Sequence, residues 1–327
     1  MKSPSSLTAM ACAAVLGLAV LQAPAQAETF PDRPLKMVVG FVPGGLNDVL
    51  GRLMARELGE ALGQPVVVEN RAGAAGLLGA DAVAKAKPDG YTLLLASSGS
   101  ATIGPAFVPK LSFDPRTGLA AVALIGDSAN VLMVNSAAPY RSVKEVVDAA
   151  KKAPGALTYA SSGSGSTLHM SGALFARTAE ISLLHVPYKG NAPAMTDIMA
   201  GQVNMGFAGV PAAISAQQSG KVRLLAVTSD TRVKALPDVP TIQEAGLPAY
   251  SFSNWFGVFT TGGTRPEIVA RLAREIDTIL KKPHVREALL AQGVEARTTT
   301  PQALTRQVDK ELTEWASLVK ATGITVD

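Results

Sequence analysis

Short runs of leucine and β-branched residues alternate along this chain with stretches of helical period. "LKMVVGF" (residues 35–41) has the composition of a strand, and "NDVLGRLMARELGEAL" (residues 47–62) follows it with apolar residues on one helical face. "PVVVEN", "GLLGADAVAKA" and "YTLLLASS" continue the alternation. Strand, helix, strand, helix, strand is the unit of a doubly wound parallel sheet, so the pattern predicts such a sheet in the first half of the chain.

The same order begins again in the second half, with "LTYASS", "STLHMSGALFARTA", "ISLLHVPY", "APAMTDIMAGQ" and "VNMGFAG". Two further apolar strands lie outside the repeats, "NVLMVN" (residues 130–135) and "SNWFGVFTT" (residues 253–261), and the chain after them is helical. We therefore expect an α/β fold of two lobes, each a mostly parallel sheet flanked by helices. Two hinge strands would join the lobes, and the final helices would return to the first lobe. A cleft between such lobes can close like a clamp.

The first 27 residues have the layout of a secretory signal peptide. Lys2 precedes an apolar run from about residue 9 to residue 21, and Ala25-Gln26-Ala27 forms an A-x-A cleavage site. A membrane span needs roughly 20 apolar residues, and this run is shorter. We expect export to the periplasm, with lobe 1 formed by residues 28–129 plus 255–327 and lobe 2 by residues 130–254.

Cysteine and charge exclude several classes of function. The single cysteine, Cys12, lies in the predicted leader, so the mature chain would have no disulfide, cysteine nucleophile or thiolate metal site. Thirty Lys and Arg against 26 Asp and Glu give a net charge of +4, and these residues are scattered rather than clustered as in a nucleic-acid stripe. With three histidines and no metal-ligand spacing, we expect neither a metal nor a cofactor.

Two turns that join a strand to a helix are the candidate ligand sites: "FVPGGLND" (residues 41–48) and "ASSGSGST" (residues 160–167). In parallel sheets, ligands bind beyond the carboxyl ends of the strands. A helix N-terminus there offers unpaired N–H groups and about half a positive charge, which favours an anion. Gly44 and Gly45 allow positive φ and a close approach of the backbone to a ligand. A turn without a ligand is the alternative interpretation of each.

Polar residues at these helix starts have both a local and a functional interpretation. Asn47, Ser166 and Thr167 are candidate N-caps. Asp48 is most simply a first-turn carboxylate that caps its own helix, with a ligand contact as the alternative.

Enzymatic interpretations of the second turn meet specific obstacles. A P-loop needs a lysine that the turn lacks, and a nucleophile elbow has its glycines four apart, whereas Gly163 and Gly165 are two apart. His169 could reach Ser162 or Ser164, so an exported serine hydrolase remains the alternative function. No acidic residue is placed by the sequence to orient that histidine.

Several segments in fixed order resemble the Bug/TctC family, the periplasmic solute receptors of tripartite tricarboxylate transporters. The similar segments are "FPDRPLKMVVGFVPGGLND", "LGQPVVVENRAGAAG", "KAKPDGYTLLLASSGS", "VNSAAPYRSVKEVVDAAKKAPGALTYASSGSGSTLHMSGALF", "HVPYKGNAPAMTDIMAGQV", "VRLLAVTSDTRVKALPDVPTIQEAGLP" and "SNWFGVF". The resemblance implies a two-lobed fold of the type II periplasmic-binding-protein kind. It also implies a monomeric receptor without catalysis that binds a small organic carboxylate and passes it to membrane transporter subunits.

The resemblance also implies the residues of the pocket, which come from three loops and one strand end. They are Val42, Gly44, Gly45, Leu46, Asn47 and Asp48; Ser97, Ser98 and Gly99; Ser162, Gly163, Ser164, Gly165, Ser166 and Thr167; and Ala208 and Gly209. In the Gly/Ser turn, N–H groups of residues 164–167 with the hydroxyls of Ser162 and Ser166 would hold a carboxylate through charge-assisted bonds.

Two departures from the family pattern bear on the ligand. Leu46-Asn47 stand where many relatives have small residues after the Gly-Gly pair, and Ala208-Gly209 stand where many carry an aspartate that could bind an amino group. We therefore expect a mono- or dicarboxylate without an ammonium group, aromatic acids included.

Overall fold

The computed structural model describes residues 30–108 and 110–324, so the predicted signal peptide lies outside the described residues. The strands are β1 (Leu35–Val39), β2 (Val66–Asn70), β3 (Thr92–Ser97), β4 (Leu119–Ser128), β5 (Asn130–Asn135), β6 (Thr158–Ser161), β7 (Leu184–Pro187), β8 (Met205–Gly209), β9 (Val222–Val227), β10 (Asn254–Thr261) and β11 (Glu295–Ala296).

Helices follow most of these strands. They are α1 (Leu46–Leu62), α2 (Leu77–Ala84), α3 (Val143–Lys152), α4 (Thr167–Thr178), α5 (Asn191–Ala200), α6 (Val210–Gln218), α7 (Pro266–Ile279), α8 (Pro283–Ala291) and α9 (Pro301–Thr322). Short 3-10 turns at Ala74–Gly76 and Gly104–Phe107 and a π-helical turn at Gly99–Ile103 complete the connections. Within the described residues, no helix is both long enough and apolar enough to span a membrane.

The strands form two sheets within one compact unit that begins at Arg33. The first sheet has the order β11-β4-β10-β3-β1-β2, and the second has the order β7-β6-β8-β5-β9. β1 is parallel to β2 and β3, and β6 is parallel to β7 and β8. The predicted α/β fold with two helix-flanked sheets is confirmed. Both sheets are mixed, with four parallel and five antiparallel strand pairings in total.

The two strands predicted as hinge strands are each antiparallel to both of their neighbours. β5 is antiparallel to β8 and β9 in the second sheet, and β10 is antiparallel to β3 and β4 in the first. No crossover helix precedes either strand. Ala129 alone connects β4 of the first sheet to β5 of the second, and residues 228–253 connect β9 of the second sheet to β10 of the first. The chain therefore crosses between the sheets twice.

Apolar faces of the helices cover the sheets. α1 buries Leu50, Met54 and Leu58, which recur every four residues, and it ends at Gly63 in the left-handed conformation (φ 67°). α9 packs on β4 of the first sheet, while its Trp315 joins the apolar core of the second sheet. The last helix thus contacts both halves of the molecule.

Candidate ligand-binding site

The first turn, residues 40–48, runs from the carboxyl end of β1 into α1. The N-cap of α1 is Gly45 (φ −79°, ψ 169°), so the prediction of Asn47 as the cap is wrong: Asn47 lies inside the first helical turn. A helix leaves its first N–H groups without intrahelical acceptors. For the N–H groups of Gly45, Leu46 and Asn47, no acceptor lies among the described residues. The buried Oδ1 atom of Asn47 likewise has no partner there.

Asp48 holds this turn in shape. Its Oδ2 atom accepts from the N–H of Gly44 at 3.0 Å and from Arg52 Nε at 2.9 Å, and its Oδ1 atom accepts from Asn70 Nδ2 at 2.8 Å. The bond from Arg52, more than any other contact, lowers the pKa of Asp48 to about 2. Both carboxylate oxygens are occupied by protein donors and the residue is buried, so these contacts favour the local role and give no support to a ligand contact.

The predicted residues Ser97, Ser98 and Gly99 lie at the carboxyl end of β3, where Ser97 ends the strand and Ser98 and Gly99 begin the loop that follows. The N–H of Ser97 donates to Ser100 Oγ at 3.1 Å, and Ser98 Oγ donates to Oδ1 of Asn254, at the start of β10, at 2.9 Å. The side chain of Ser98 is therefore committed to the hinge strand. Its N–H and that of Gly99 have no acceptor among the described residues.

This loop approaches the second turn closely. A Cβ atom placed on Gly99 would lie 3.8 Å from Cγ2 of Thr167, which is ordinary van der Waals contact. The structure thus brings one predicted loop of the first sheet against the helix start of the second sheet.

The Gly/Ser turn, residues 161–167, leads from β6 into α4. Ser166 is the N-cap as predicted, because its Oγ accepts from the N–H of His169 at 3.2 Å, and Thr167 is the first helical residue rather than the cap. Gly163 (φ 130°) and Gly165 (φ 74°) have backbone conformations that favour glycine. The chain can adopt this turn because both positions that require positive φ are occupied by glycine.

Two of the four N–H groups predicted for the carboxylate clamp already donate to acceptors within the protein. The N–H of Gly165 donates to His169 Nδ1 at 3.0 Å, and that of Ser166 donates to the carbonyl of Gly163 at 3.2 Å, so neither is available to a ligand. In contrast, the N–H groups of residues 162, 164 and 167 have no acceptor in the described part of the chain. These three, with the hydroxyl of Ser162, form the donor set at this turn.

His169 is unsuited to activate a serine. Its ring is 3% exposed, and burial, with a smaller contribution from His185, lowers its pKa to about 3. Since Nδ1 accepts a hydrogen bond, the single ring proton lies on Nε2, which is then a donor and has no lone pair for a serine proton. This geometry opposes a hydrolase built on Ser162 or Ser164.

The two residues predicted at the end of β8 differ in their placement. Ala208 is fully buried in the apolar core of the second sheet, so the prediction that it faces a ligand is wrong for its side chain. Successive side chains of a strand point to opposite faces. Gly209 is partly exposed, pairs with Asn130 of β5, and has open space where a Cβ would stand. Gly209 is therefore the position at which an added side chain would have room.

Exposure separates the two apolar residues of the first turn. Val42 is 65% exposed, whereas Leu46 is partly buried at the start of α1. Leu46 is thus better placed than Val42 to contribute apolar contacts.

Sequence analysis missed the residues that support the turns from behind. Arg52 and Asn70 hold Asp48, and Ser161, His185 and Asn254 hold the other loops. The β6–β7 register, which pairs Tyr159 with His185, is what places His185 beside the Gly/Ser turn. The only available signal was the position of His185 near the end of a predicted strand.

A cavity of about 1000 Å³ is lined by the predicted residue Ser98 and by residues of the two connections between the sheets, among them Ala129, Ser229 and Ser253, while none of residues 160–167 lines it. Many of its charged groups already pair, for example Arg297 with Asp127. The turns, in contrast, offer donors without acceptors, so they are the better candidates for an anion site. Among the described residues, no group of three or more His, Cys, Asp or Glu could hold a metal ion.

Comparison with known proteins gives one family. The profile described as "Tripartite tricarboxylate transporter family receptor" matches residues 50–324. Protein BugT of Bordetella pertussis (strain Tohama I) is 38% identical over 315 residues, which cover 95% of this chain and 97% of BugT.

Solved structures show the same similarity. An R. palustris protein solved with adipate is 34% identical with a TM-score of 0.75, covering 91% of this chain and 100% of that one. MatC from Rhodopseudomonas palustris, with bound malate, is 32% identical with a TM-score of 0.72, covering 89% of this chain and 100% of MatC.

Proposed function

Since the chain belongs to the tripartite tricarboxylate transporter receptor (TctC) family, we propose that it captures a small organic carboxylate in a cleft between two lobes and delivers it to a membrane transporter of the tripartite tricarboxylate type. It is a receptor and not an enzyme, so the hydrolase alternative is wrong. The observation that carries the proposal is the set of N–H groups at the carboxyl ends of β1, β3 and β6 for which no acceptor lies among residues 30–108 and 110–324.

The proposed binding contacts use backbone donors. N–H groups of residues 45–47 and 98–99 contact the ligand from the first lobe, and those of residues 162, 164 and 167 contact it from the second. Hydrogen bonds to a carboxylate are stronger than those between neutral groups, and the N-termini of α1 and α4 each add about half a positive charge. The proximity of Gly99 to Thr167, whose Cγ2 would lie 3.8 Å from a Cβ atom placed on Gly99, supports an arrangement in which both sets of donors reach one ligand.

The ligand that fits best is a mono- or dicarboxylate without an ammonium group. No acid stands at Gly209 to bind an amino group, and Leu46 adds apolar surface to the first turn. Two relatives were solved with adipate and with malate, both dicarboxylates, which supports this class. Two anion-receptive turns also suit a ligand with a carboxylate at each end.

The remaining assignments follow the same proposal. Residues 1–27 direct export to the periplasm and are removed. The lobes comprise residues 28–129 with 255–327, and residues 130–254, in keeping with the change of sheet between β4 and β5. The receptor acts as a monomer, because closure of the clamp needs no second copy.

The first test is thermal unfolding of residues 28–327 with a panel of mono-, di- and tricarboxylates, aromatic acids, amino acids and sugars. A ligand at a hundred times its Kd adds about 2.7 kcal/mol to the free energy of unfolding. At about 2–4 °C per kcal/mol, this corresponds to a rise in Tm of roughly 5–11 °C. We expect such a rise with a carboxylate and none with its amide.

Two results would oppose the proposal. A flat response to every carboxylate would make the turns merely structural, and a selective response to aspartate or glutamate would exclude the ligand class. Delivery is tested by uptake of the carboxylate in cells that lack this chain, with and without the chain restored.

A further inference from the structure

The Gly/Ser turn is supported by two histidines that its proposed ligand would not touch. The N–H of Gly165 donates to His169 Nδ1 at 3.0 Å. The N–H of Gly163 donates to Ser161 Oγ at 3.2 Å, and this oxygen lies 2.7 Å from His185 Nε2. Each glycine with positive φ in the turn is therefore held by one histidine, directly in one case and through a serine in the other.

The two histidines form one rigid unit. Their ring centroids are 3.7 Å apart and their planes differ by 3°, so the rings stack face to face. The ring of Tyr159 lies 4.9 Å from that of His185, and Ser161 is fully buried. His169 belongs to α4 and His185 to β7, so the stack joins two elements behind the turn. Neither imidazole can rotate without disturbing the other.

We propose that His169 and His185 are positioning residues that hold the Gly/Ser turn in its anion-binding conformation. This inference rests on the proposed function of the turn as a carboxylate clamp. Fixing Gly163 and Gly165 fixes the peptide groups between them and so the N–H of Ser164, which has no acceptor among the described residues, and it restrains the neighbouring residues 162 and 167. A site that is ordered before the ligand arrives loses less conformational entropy on binding.

The atoms that make these contacts distinguish positioning from packing. His169 accepts its hydrogen bond with Nδ1, the ring nitrogen nearer to the backbone, and Oδ1 of an asparagine at this position would stand in the same place. His185 uses Nε2, the farther one, whose place is reached by the terminal amide of glutamine. His169→Asn and His185→Gln therefore keep the contact, whereas His169→Gln and His185→Asn lose it. A role in packing alone would favour the same substitute at both sites, so opposite preferences are the diagnostic result.

The test combines two measurements on the four variants. Amide exchange of Gly163 and Gly165 is followed by NMR in ligand-free protein labelled with ¹⁵N-glycine, and Kd for adipate and malate is measured by calorimetry. We expect His169→Asn and His185→Gln to keep slow exchange and to bind within about threefold of wild type. We expect faster exchange and binding weakened by about tenfold or more in the mismatched variants, as for loss of one buried hydrogen bond. Tm shows which variants fold. Where the pair of variants folds at only one histidine, amide exchange of the glycine that this histidine holds, Gly165 for His169 or Gly163 for His185, still tests the contact.

Three outcomes would overturn the inference. They are unchanged exchange in the mismatched variants, equally weakened binding in all four variants, and the expected exchange pattern without any change in Kd. Failure of the proposed function looks different, because wild-type protein would then bind no carboxylate of the panel. The exchange rates would still reveal whether the histidines hold the glycines.

Discussion

Replacing Thr167 by proline removes one backbone N–H of the proposed clamp and little else. Thr167 is the first residue of α4, a position where proline is favoured because its fixed φ suits the helix and its missing N–H is not needed there. The preceding Ser166 has φ −66° and ψ 158°, the extended conformation that a residue before proline prefers. The N–H itself has no acceptor among the described residues, so its removal breaks no hydrogen bond seen there.

The expected loss can be estimated from one charge-assisted hydrogen bond. Such a bond contributes about 1.5–3 kcal/mol, which corresponds to a Kd weakened by roughly 10- to 150-fold. The matched control is Thr167→Ala, which also loses the side chain and its contact near Gly99 but keeps the N–H. We expect Thr167→Ala to bind close to wild type and Thr167→Pro to bind much more weakly, by calorimetry with the carboxylate that gives the largest rise in Tm.

The stability of the ligand-free variants completes this test. A proline that fits its native backbone restricts the unfolded chain and adds about 0.4–1 kcal/mol, so the Tm of Thr167→Pro should equal or slightly exceed that of Thr167→Ala. Equal Kd values for two well-folded variants would refute the reasoning, because the N–H would then make no contact with the ligand.

Three further predictions follow from named contacts. Asp48→Asn replaces a carboxylate that accepts hydrogen bonds from three donors by an amide that can accept at only one of its two terminal atoms. We expect the free energy of unfolding, measured with denaturant at pH 7, to decrease by about 1–3 kcal/mol. An unchanged unfolding midpoint would contradict this role of Asp48. Burial lowers the pKa of His169 to about 3 and that of His185 to about 4. Between about pH 6.5 and pH 4 the unfolded chain therefore binds more protons than the folded chain, and the free energy of unfolding decreases as the pH is lowered, by up to about 1.4 kcal/mol per pH unit for each histidine. The double variant His169→Asn with His185→Gln should show a smaller decrease over this range, and a decrease equal to that of wild type would contradict the prediction. Gly209→Asp adds an acid at an open position with ordinary φ, and we expect the panel response to shift toward aspartate or glutamate; a variant that keeps the wild-type preference would show that this position does not reach the ligand.

The sequence predicts those parts of the fold that depend on local periodicity. β5 has the predicted bounds, residues 130–135, because its apolar run is uninterrupted. β4, in contrast, was not predicted: its sequence "LAAVALIGDS" is rich in alanine, and it is a strand because β10 and β11 pair with it on both sides. β9 and α3 were missed as well. Such elements form because segments that are distant in the sequence pair with one another, and local secondary-structure propensity gives no information about this pairing.

The site was predictable to the level of the turn but not of the atom. The Gly/Ser composition predicted a turn there, and the structure has one, but two of the N–H groups predicted for a carboxylate are used inside the protein. One acceptor is a histidine four residues away, and that contact depends on which ring nitrogen faces the turn. Asn47 is a residue type that is common at N-caps, but α1 begins after Gly45, so the cap lies two residues earlier than predicted. The burial of Ala208 could not be predicted, because it depends on which side chains of β8 face the core, and this depends on the strands and helices that pack around β8.

A clamp built from backbone donors explains how a receptor family can keep one fold and change its ligand. A side-chain substitution leaves an N–H in place unless it introduces proline or distorts the turn, so most variation around the clamp preserves recognition of a carboxylate. The rest of the ligand is then recognised by the few positions that carry side chains toward it, for which Leu46 and the open Gly209 are the candidates in this chain. Stacked histidines behind the turn fit the same logic, because they fix the donors from the side that the ligand does not reach. Changes of specificity should therefore map to residues 46 and 209, while the mismatched substitutions His169→Gln and His185→Asn should weaken every carboxylate alike.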